Sequence, residues 1–267
     1  MKAVFKGIKK LIRLLLSRLS LILSFILVPI FVVLGKNRRL SSTVLYSQQS
    51  THTGKVIVYD FDGTIIKEDS FSLVLDYMAK GKFYKKINLL LWRKIYNYKI
   101  IDNMQFKSVT TAKILKGLTT EELEQVCNEI AIDLINNQKV NLKVLKNLME
   151  DIHDNHSVII LSATPKEIVI SILYTIIEKI NPDFLAIFKE KAIIIGSNFK
   201  WNRNNKLEKF LENCYREKKK EKLFEIGITK CHEFYTDSLT DDLSIAEISD
   251  RVFWVQDEKI YEWRHND

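Results

Sequence analysis

Nine residues, Val56 to Thr64, constrain this chain more than any other stretch: Val-Ile-Val-Tyr-Asp-Phe-Asp-Gly-Thr. The first four are apolar and mostly β-branched, as in a strand buried inside a parallel sheet, and Gly63 marks the exit from it. Asp60 and Asp62 therefore fall at the carboxyl end of a strand, where open α/β sheets hold their ligands. Two carboxylates so close repel each other unless a divalent cation or a shared proton relieves them. An Asp-x-Asp pair can also be a polar strand end or a turn, so the rest of the chain has to decide.

Four segments in order carry a family resemblance. Asp60-Phe61-Asp62-Gly63-Thr64 resembles the first motif of the haloacid dehalogenase superfamily in its phosphatase form. The apolar run Val158 to Leu161 ends in Ser162 and leads into Ala163-Thr164-Pro165, similar to that family's second strand, which ends in Ser or Thr. A lysine opening a helix is the third element, and Asp237-Ser238-Leu239-Thr240-Asp241 is similar to its acidic loop. The resemblance runs from about Lys55 to the C-terminus, with the phosphoserine phosphatase-like branch as its nearest form. It implies an α/β fold: a Rossmann-like three-layer core with a parallel sheet and an inserted helical cap.

The resemblance also implies roles. Asp60 is the nucleophile that takes the phosphoryl group, a covalent route open to a carboxylate. Asp62 protonates the leaving oxygen and then activates water, a step that favours phosphate over halide chemistry. Mg²⁺ is held by the Asp60 carboxylate, the Asp62 main-chain carbonyl and Asp237, with Asp241 ordering that shell from behind; the hard ion keeps its other positions for water and substrate oxygen. Ser162 donates to a phosphoryl oxygen, and Gly63, Thr64 and Ala163 are expected among the substrate-binding residues. Asp69, nine residues after Asp60, stands where phosphoserine phosphatases carry an acidic residue toward the substrate amine, and it can equally cap a helix. Thr164 and Pro165 are read as the cap and first position of a helix running to about Lys179, whose positive end suits a phosphate.

For the lysine, Arg216 to Lys222 offers several candidates. Lys219 fits best because it lies four residues before Leu223, so a helix burying Leu223 and Ile226 presents it toward the site. Members of the family often carry Cys-x-Gly ahead of this lysine, whereas Cys214-Tyr215-Arg216 has arginine in place of glycine, and Lys218, Lys220 and Lys206 stay open as alternatives. The role is to neutralise charge on the nucleophile and the phosphoryl group.

Charge is distributed unevenly. The net charge is +8, but residues 1–39 hold nine Lys and Arg and no acidic residue, leaving 32 basic against 33 acidic residues in the rest. A nucleic-acid partner is therefore not implied; the basicity belongs to the arm. That arm is uncharged from Leu19 to Gly35, and before it Phe5, Ile8, Leu11, Ile12 and Leu15 alternate at helical spacing with Lys6, Lys9, Lys10 and Arg13. Residues 1–39 are thus expected to associate with a membrane, as a retained span or hairpin-like anchor, an interfacial helix or a cleaved signal peptide. The basic residues on its N-terminal side would leave the enzyme outside. Three cysteines without metal or redox spacing instead favour a domain facing the cytoplasm. Residues 40–54, rich in Ser, Thr and Gln, read as a tether.

Residues 55–267 form the hydrolase domain, with core 55–67 and 151–267 and a helical cap over 68–150. Helices are expected at Phe71–Ala79, Lys82–Tyr98, Asn103–Leu115 and Thr120–Asn136, the last opened by Thr119 or Thr120. Lys67 to Lys116 carries eleven basic against four acidic residues, so the lid would draw anionic substrates or rest on anionic lipid. Leu89-Leu90-Leu91-Trp92 is read as core between cap helices. Later strands are expected at Ala192–Gly196, Glu233–Thr236 and Val252–Val255, with a helix at Lys218–Ile228. No glycine-rich P-loop or dinucleotide fingerprint is present. The expected activity is Mg²⁺-dependent hydrolysis of a phosphomonoester of a small metabolite. The alternatives are transfer of the phosphoryl group to an acceptor alcohol, or action on a lipid head-group phosphate.

Overall fold

The computed structural model describes residues 54–263. The arm 1–39 and nearly all of the tether lie outside the described residues; among those described, no helix is long and apolar enough to cross a membrane.

Val56–Tyr59 is strand β1, buried at every position. It is buried because it is central: it pairs in parallel with β2 (Ser157–Pro165) on one side and β5 (Cys231–Thr236) on the other. The remaining strands are β3 (Ile193–Trp201), β4 (Leu207–Glu212), β6 (Ser249–Gln256) and β7 (Lys259–Trp263), and the seven-stranded order is β4-β3-β2-β1-β5-β6-β7. Five strands are parallel, while β4 and β7 add antiparallel edges to β3 and β6. The sequence pattern points to a parallel sheet and does not reveal these edges. Both are charged strands, Leu-Glu-Lys-Phe-Leu-Glu and Lys-Ile-Tyr-Glu-Trp, the composition that protects a sheet edge and hides its apolar alternation.

One face of the sheet packs Val56, Val58, Leu161, Phe234 and Val252 against Leu223 of helix α8 (Glu217–Glu225) and Ile245 of α9 (Leu243–Ala246). On β1, β5 and β6, Tyr59, Tyr235 and Phe253 stack in series, with centroids 4.5 and 4.6 Å apart.

Between β1 and β2 the chain inserts five helices. They are α1 (Ser70–Ala79), α2 (Phe83–Asn97), α3 (Asn103–Thr110), α4 (Thr120–Asn136) and α5 (Leu142–His153). Capping residues set the starts: Asp69 accepts from Ser72 N, while Asp102 with Gln105 and Thr119 with Glu122 form reciprocal capping boxes. Asn103–Leu115 is not one helix; it widens to a π-helical turn over Thr111–Leu115, closed by Lys116 N donating to Thr111 O. The fifth helix packs against β2 and against α7 (Phe184–Lys191), so residues up to Glu150, assigned from sequence to the cap, include a helix lying on the core. After β2 the chain enters α6 (Lys166–Ile180), which packs on α4.

Candidate active site

The buried, central β1 strand ends by presenting Asp60 and Asp62 at the carboxyl end of the parallel strands. Gly63 then turns with φ +76°, and a Cβ there would overlap the Asp237 carboxylate from the β5 loop. Glycine is required twice over, for the left-handed backbone and for the close approach that brings the two acidic loops together.

Lys219 lies in the first turns of α8, one helical turn before buried Leu223, and its ammonium reaches the floor of the site. Nζ is 2.7 Å from Asp60 Oδ1 and 2.6 Å from Asp242 Oδ1, with all three side chains almost fully buried. Burial opposes the charge on Lys219, but Asp60 and Asp242 together raise its pKa above the ordinary lysine value. Burial pushes the Asp60 carboxyl upward, opposed by Lys219 and reinforced by Asp242 and Asp237. The other lysines left open by the sequence point elsewhere: Lys218 pairs with Glu221, Lys220 with Glu247, and Lys206 is exposed beside β4.

Asp242 is a site residue that the motif does not reveal, since the motif points to Asp241 alone. Asp242 is 2 % exposed and also accepts from Thr236 Oγ1 at 2.7 Å. Asp241 sits at the more exposed rim of the site, accepting from Tyr215 Oη at 2.7 Å and from the Arg216 guanidinium at 3.0 Å. Spacing in the sequence does not separate the two, since Asp241 lies three and four residues before buried Ser244 and Ile245 just as Asp242 does before Ile245 and Ala246. Arg216, in the place where glycine is usual in the family, adopts φ +54°, a region that favours glycine.

Asp62 is bound differently from Asp60. Its Oδ1 accepts from Ser70 N at 2.8 Å, and its Oδ2 accepts from Thr164 Oγ1 at 2.7 Å and Ser162 Oγ at 3.3 Å. Burial and the charge of Asp69 raise its pKa, while the Ser70 and Thr164 hydrogen bonds hold it down. The expectation that Thr164 caps the following helix is corrected. The residue still belongs to β2, its hydroxyl is turned to Asp62 and Ser70, and α6 begins only at Lys166, without a side-chain cap.

These groups border a cleft of about 420 Å³. Asp60, Asp62, Gly63, Ala163, Lys219 and Asp237 face it. So do Asp241 and Asp69, which also serves as the α1 cap. Ser162 and Thr64 are fully buried and do not appear on the cleft wall; Thr64 Oγ1 has no hydrogen-bond partner. The helical insert supplies Tyr96, Asn103 and Lys107, which sequence reasoning does not single out. Lys107 is 5 % exposed, donates to Ala163 O at 2.5 Å, and has its pKa lowered to about 8 by burial, with Asp69 and Asp62 opposing the change. Burial, then Asp242, push Asp237 up to about 6.

The sequence pattern of the haloacid dehalogenase-like hydrolases matches residues 57–241. The chain belongs to that family. Among curated proteins no sequence matches it. The solved structures similar to this haloacid dehalogenase-like hydrolase include a protein of unknown function from Bordetella pertussis Tohama I, with TM-score 0.58, 16 % identity, and coverage of 75 % of this chain and 89 % of that one. Cytosolic 5′-nucleotidase IIIB bound to cytidine is similar at TM-score 0.50 and 14 % identity, over 73 % and 69 % of the two chains. At these identities the likeness establishes the fold.

The donor chemistry of the hydrolase's cleft fits magnesium. Buried Asp60 and Asp242 share one ammonium, Lys219, and the more exposed Asp237 stands beside them, so the site holds more acid than the lysine matches. Among the described residues no group of three or more His, Cys, Asp or Glu side chains is arranged to enclose a metal by itself. An ion that takes only one or two carboxylates, with water and substrate oxygens completing its shell, suits Asp60 and Asp237.

Proposed function

We propose that this protein is a magnesium-dependent phosphatase that hydrolyses the phosphomonoester of a small metabolite through an aspartyl-phosphate on Asp60. The observation that carries the reading is the division of labour between two aspartates only two residues apart. Asp60 faces the ammonium of Lys219, whereas Asp62 is held by a backbone amide and two hydroxyls. Asp60 attacks phosphorus, with Lys219 offsetting the negative charge that gathers on nucleophile and phosphoryl oxygens. Asp62, fixed by Ser70, Thr164 and Ser162, gives a proton to the leaving oxygen and then takes one from the attacking water. Magnesium on Asp60, Asp237 and the Asp62 carbonyl would supply charge to polarise the phosphoryl group. The cleft of about 420 Å³, with Asp69 and Lys107 of opposite charge on its walls, suits a small polar leaving group. Residues 1–39 are proposed to attach the enzyme to a membrane, with the catalytic domain facing the cytoplasm.

The test is magnesium-dependent release of phosphate from an aryl phosphate, followed by a panel of phosphorylated metabolites and phospholipids. Asp60→Asn is expected to lower turnover at least ~10³-fold, the scale of losing a covalent nucleophile. Unchanged activity in that variant rejects Asp60 as nucleophile, and product analysis with added alcohols separates transfer from hydrolysis.

A further inference from the structure

Helix α2 buries little of its apolar content. Leu89 and Trp92 face inward, but Phe83 is 80 % exposed, Ile87 47 % and Leu90 58 %. These three are spaced i, i+4 and i+7, so they form one continuous stripe on the outer face, which Lys94 extends by another turn. Tyr84 and Tyr98 flank the stripe and are also exposed. From Lys80 to Ile101 the chain carries seven Lys and Arg and no Asp or Glu. Of the seven, Arg93 is paired with Asp76 on α1, Lys82 and Lys86 lie exposed beside the apolar stripe, and Lys94 lies exposed at its end.

We infer that the outer face of α2 docks on the surface of an anionic lipid bilayer. The composition decides among partners. A helix with an apolar stripe, lysines on its shoulders, aromatic rings at its margins and no acid matches what settles at the headgroup level, where the stems of lysine lie on the acyl boundary and the ammonium groups meet phosphate. Nucleic acid would engage the lysines but leave Ile87 and Leu90 in water. The same composition recurs in residues 1–39, with nine basic residues, no acid and an uncharged run from Leu19 to Gly35, so two separate stretches of one chain call for the same surface. Tyr96, on the same helix, lines the catalytic cleft and accepts a hydrogen bond from Asn103 Nδ2 at 3.2 Å, so the docking helix also contributes to the wall of the site. The inference concerns a surface and stands whether or not the phosphatase reading does.

The test reads α2 itself, because binding of the full chain to vesicles also reports residues 1–39. The three native cysteines are buried, so Leu90→Cys in the full chain gives one accessible thiol for an environment-sensitive fluorophore. Vesicles of phosphatidylcholine with phosphatidylserine are expected to shift this probe to the blue, and brominated acyl chains to quench it. The response should weaken in pure phosphatidylcholine and require at least ~10-fold more anionic lipid after Lys82→Glu, Lys86→Glu and Lys94→Glu. Phe83→Cys is read in the same way should Leu90→Cys fail to fold, and Glu190→Cys on α7 is the control site. The inference is overturned if the chain sediments with vesicles while the probes on α2 stay unchanged, or if the α7 probe responds equally. It is also overturned by a blue shift that appears without lipid and grows with protein concentration, which assigns the face to a second copy, or by a probe already shielded in dilute solution, which assigns it to the chain's own N-terminal arm.

Discussion

At the carboxyl end of β1 the molecule buries charge; along the outer face of α2 it leaves apolar side chains in water. Both arrangements oppose what folding alone favours. Asp60, Asp242 and Lys219 give up hydration that two carboxylates and an ammonium would keep at the surface, and only mutual pairing makes their burial tolerable. Phe83 and Leu90, 80 % and 58 % exposed, forgo the burial that comparable residues of the core achieve. The contrast separates two ways of departing from a stable fold. Charge is concentrated where a reacting phosphoryl group must be met by preorganised partners, and apolar area is displayed where a second phase can cover it.

The cleft half of this comparison is broken most directly at Lys219. Lys219→Met removes the ammonium that faces both Asp60 and Asp242 and leaves two buried acids without it, at a cost of about 3–5 kcal/mol in urea unfolding. A loss below ~1 kcal/mol would show that water reaches the floor of the cleft and that the pair is not buried in solution. The other half is sharpened within one helix, by neighbours of identical chemistry. Leu89 is 2 % exposed, and Leu89→Ala should cost about 2–5 kcal/mol. Leu90→Ala, one residue on, should stay within ~0.5 kcal/mol in the absence of lipid. Equal effects from the two would mean that something already covers the outer face of α2.

The same contrast explains how much the sequence reveals. β1 and the first half of β2 are legible because strands buried on both faces are continuous apolar runs, and α1 and α4 because Asp69 and Thr119 mark their starts. Edge strands β4 and β7 are not, since half of each faces solvent and is charged. In the site, the spacing of Asp60 and Asp62 points to a carboxylate pair, the family resemblance adds Asp237, and Lys219 emerges from a basic run only through its distance from Leu223. Asp242 is lost beside Asp241 because both lie within one turn of the buried residues Ser244, Ile245 and Ala246, and only the pairing of Asp242 with Lys219 tells them apart. Lys107 is hidden by company, one lysine among eleven basic residues between Lys67 and Lys116. The four-residue run Leu89 to Trp92 reads as core, and α2 divides it, burying Leu89 and Trp92 and exposing Leu90.

Lys107 provides the finest test, because it sets a cap lysine inside the protein against those of α2 outside it. Its pKa is lowered to about 8 by burial, from an ordinary value of 10.5. Below pH 8 it is charged in both folded and unfolded chains, so the folded state bears the full cost of desolvation. Between pH 8 and 10.5 the folded chain releases this proton while the unfolded chain keeps it, so this group's contribution improves as pH rises. Lys107→Met carries no such cost at any pH. It also leaves little behind, since the Ala163 carbonyl keeps the Ser197 hydroxyl as a donor. The stability of the methionine variant relative to the parent should therefore be greatest at pH 7 and decline by up to ~3 kcal/mol toward pH 10.5, because each pH interval of one between the folded and unfolded values is worth about 1.4 kcal/mol. Groups that do not interact with Lys107 titrate alike in both proteins and cancel from the difference. A relative stability of the methionine variant that stays constant from pH 7 to 10.5 would show that Lys107 is not desolvated in the folded chain and would erase the distinction between the inner and outer lysines of the cap.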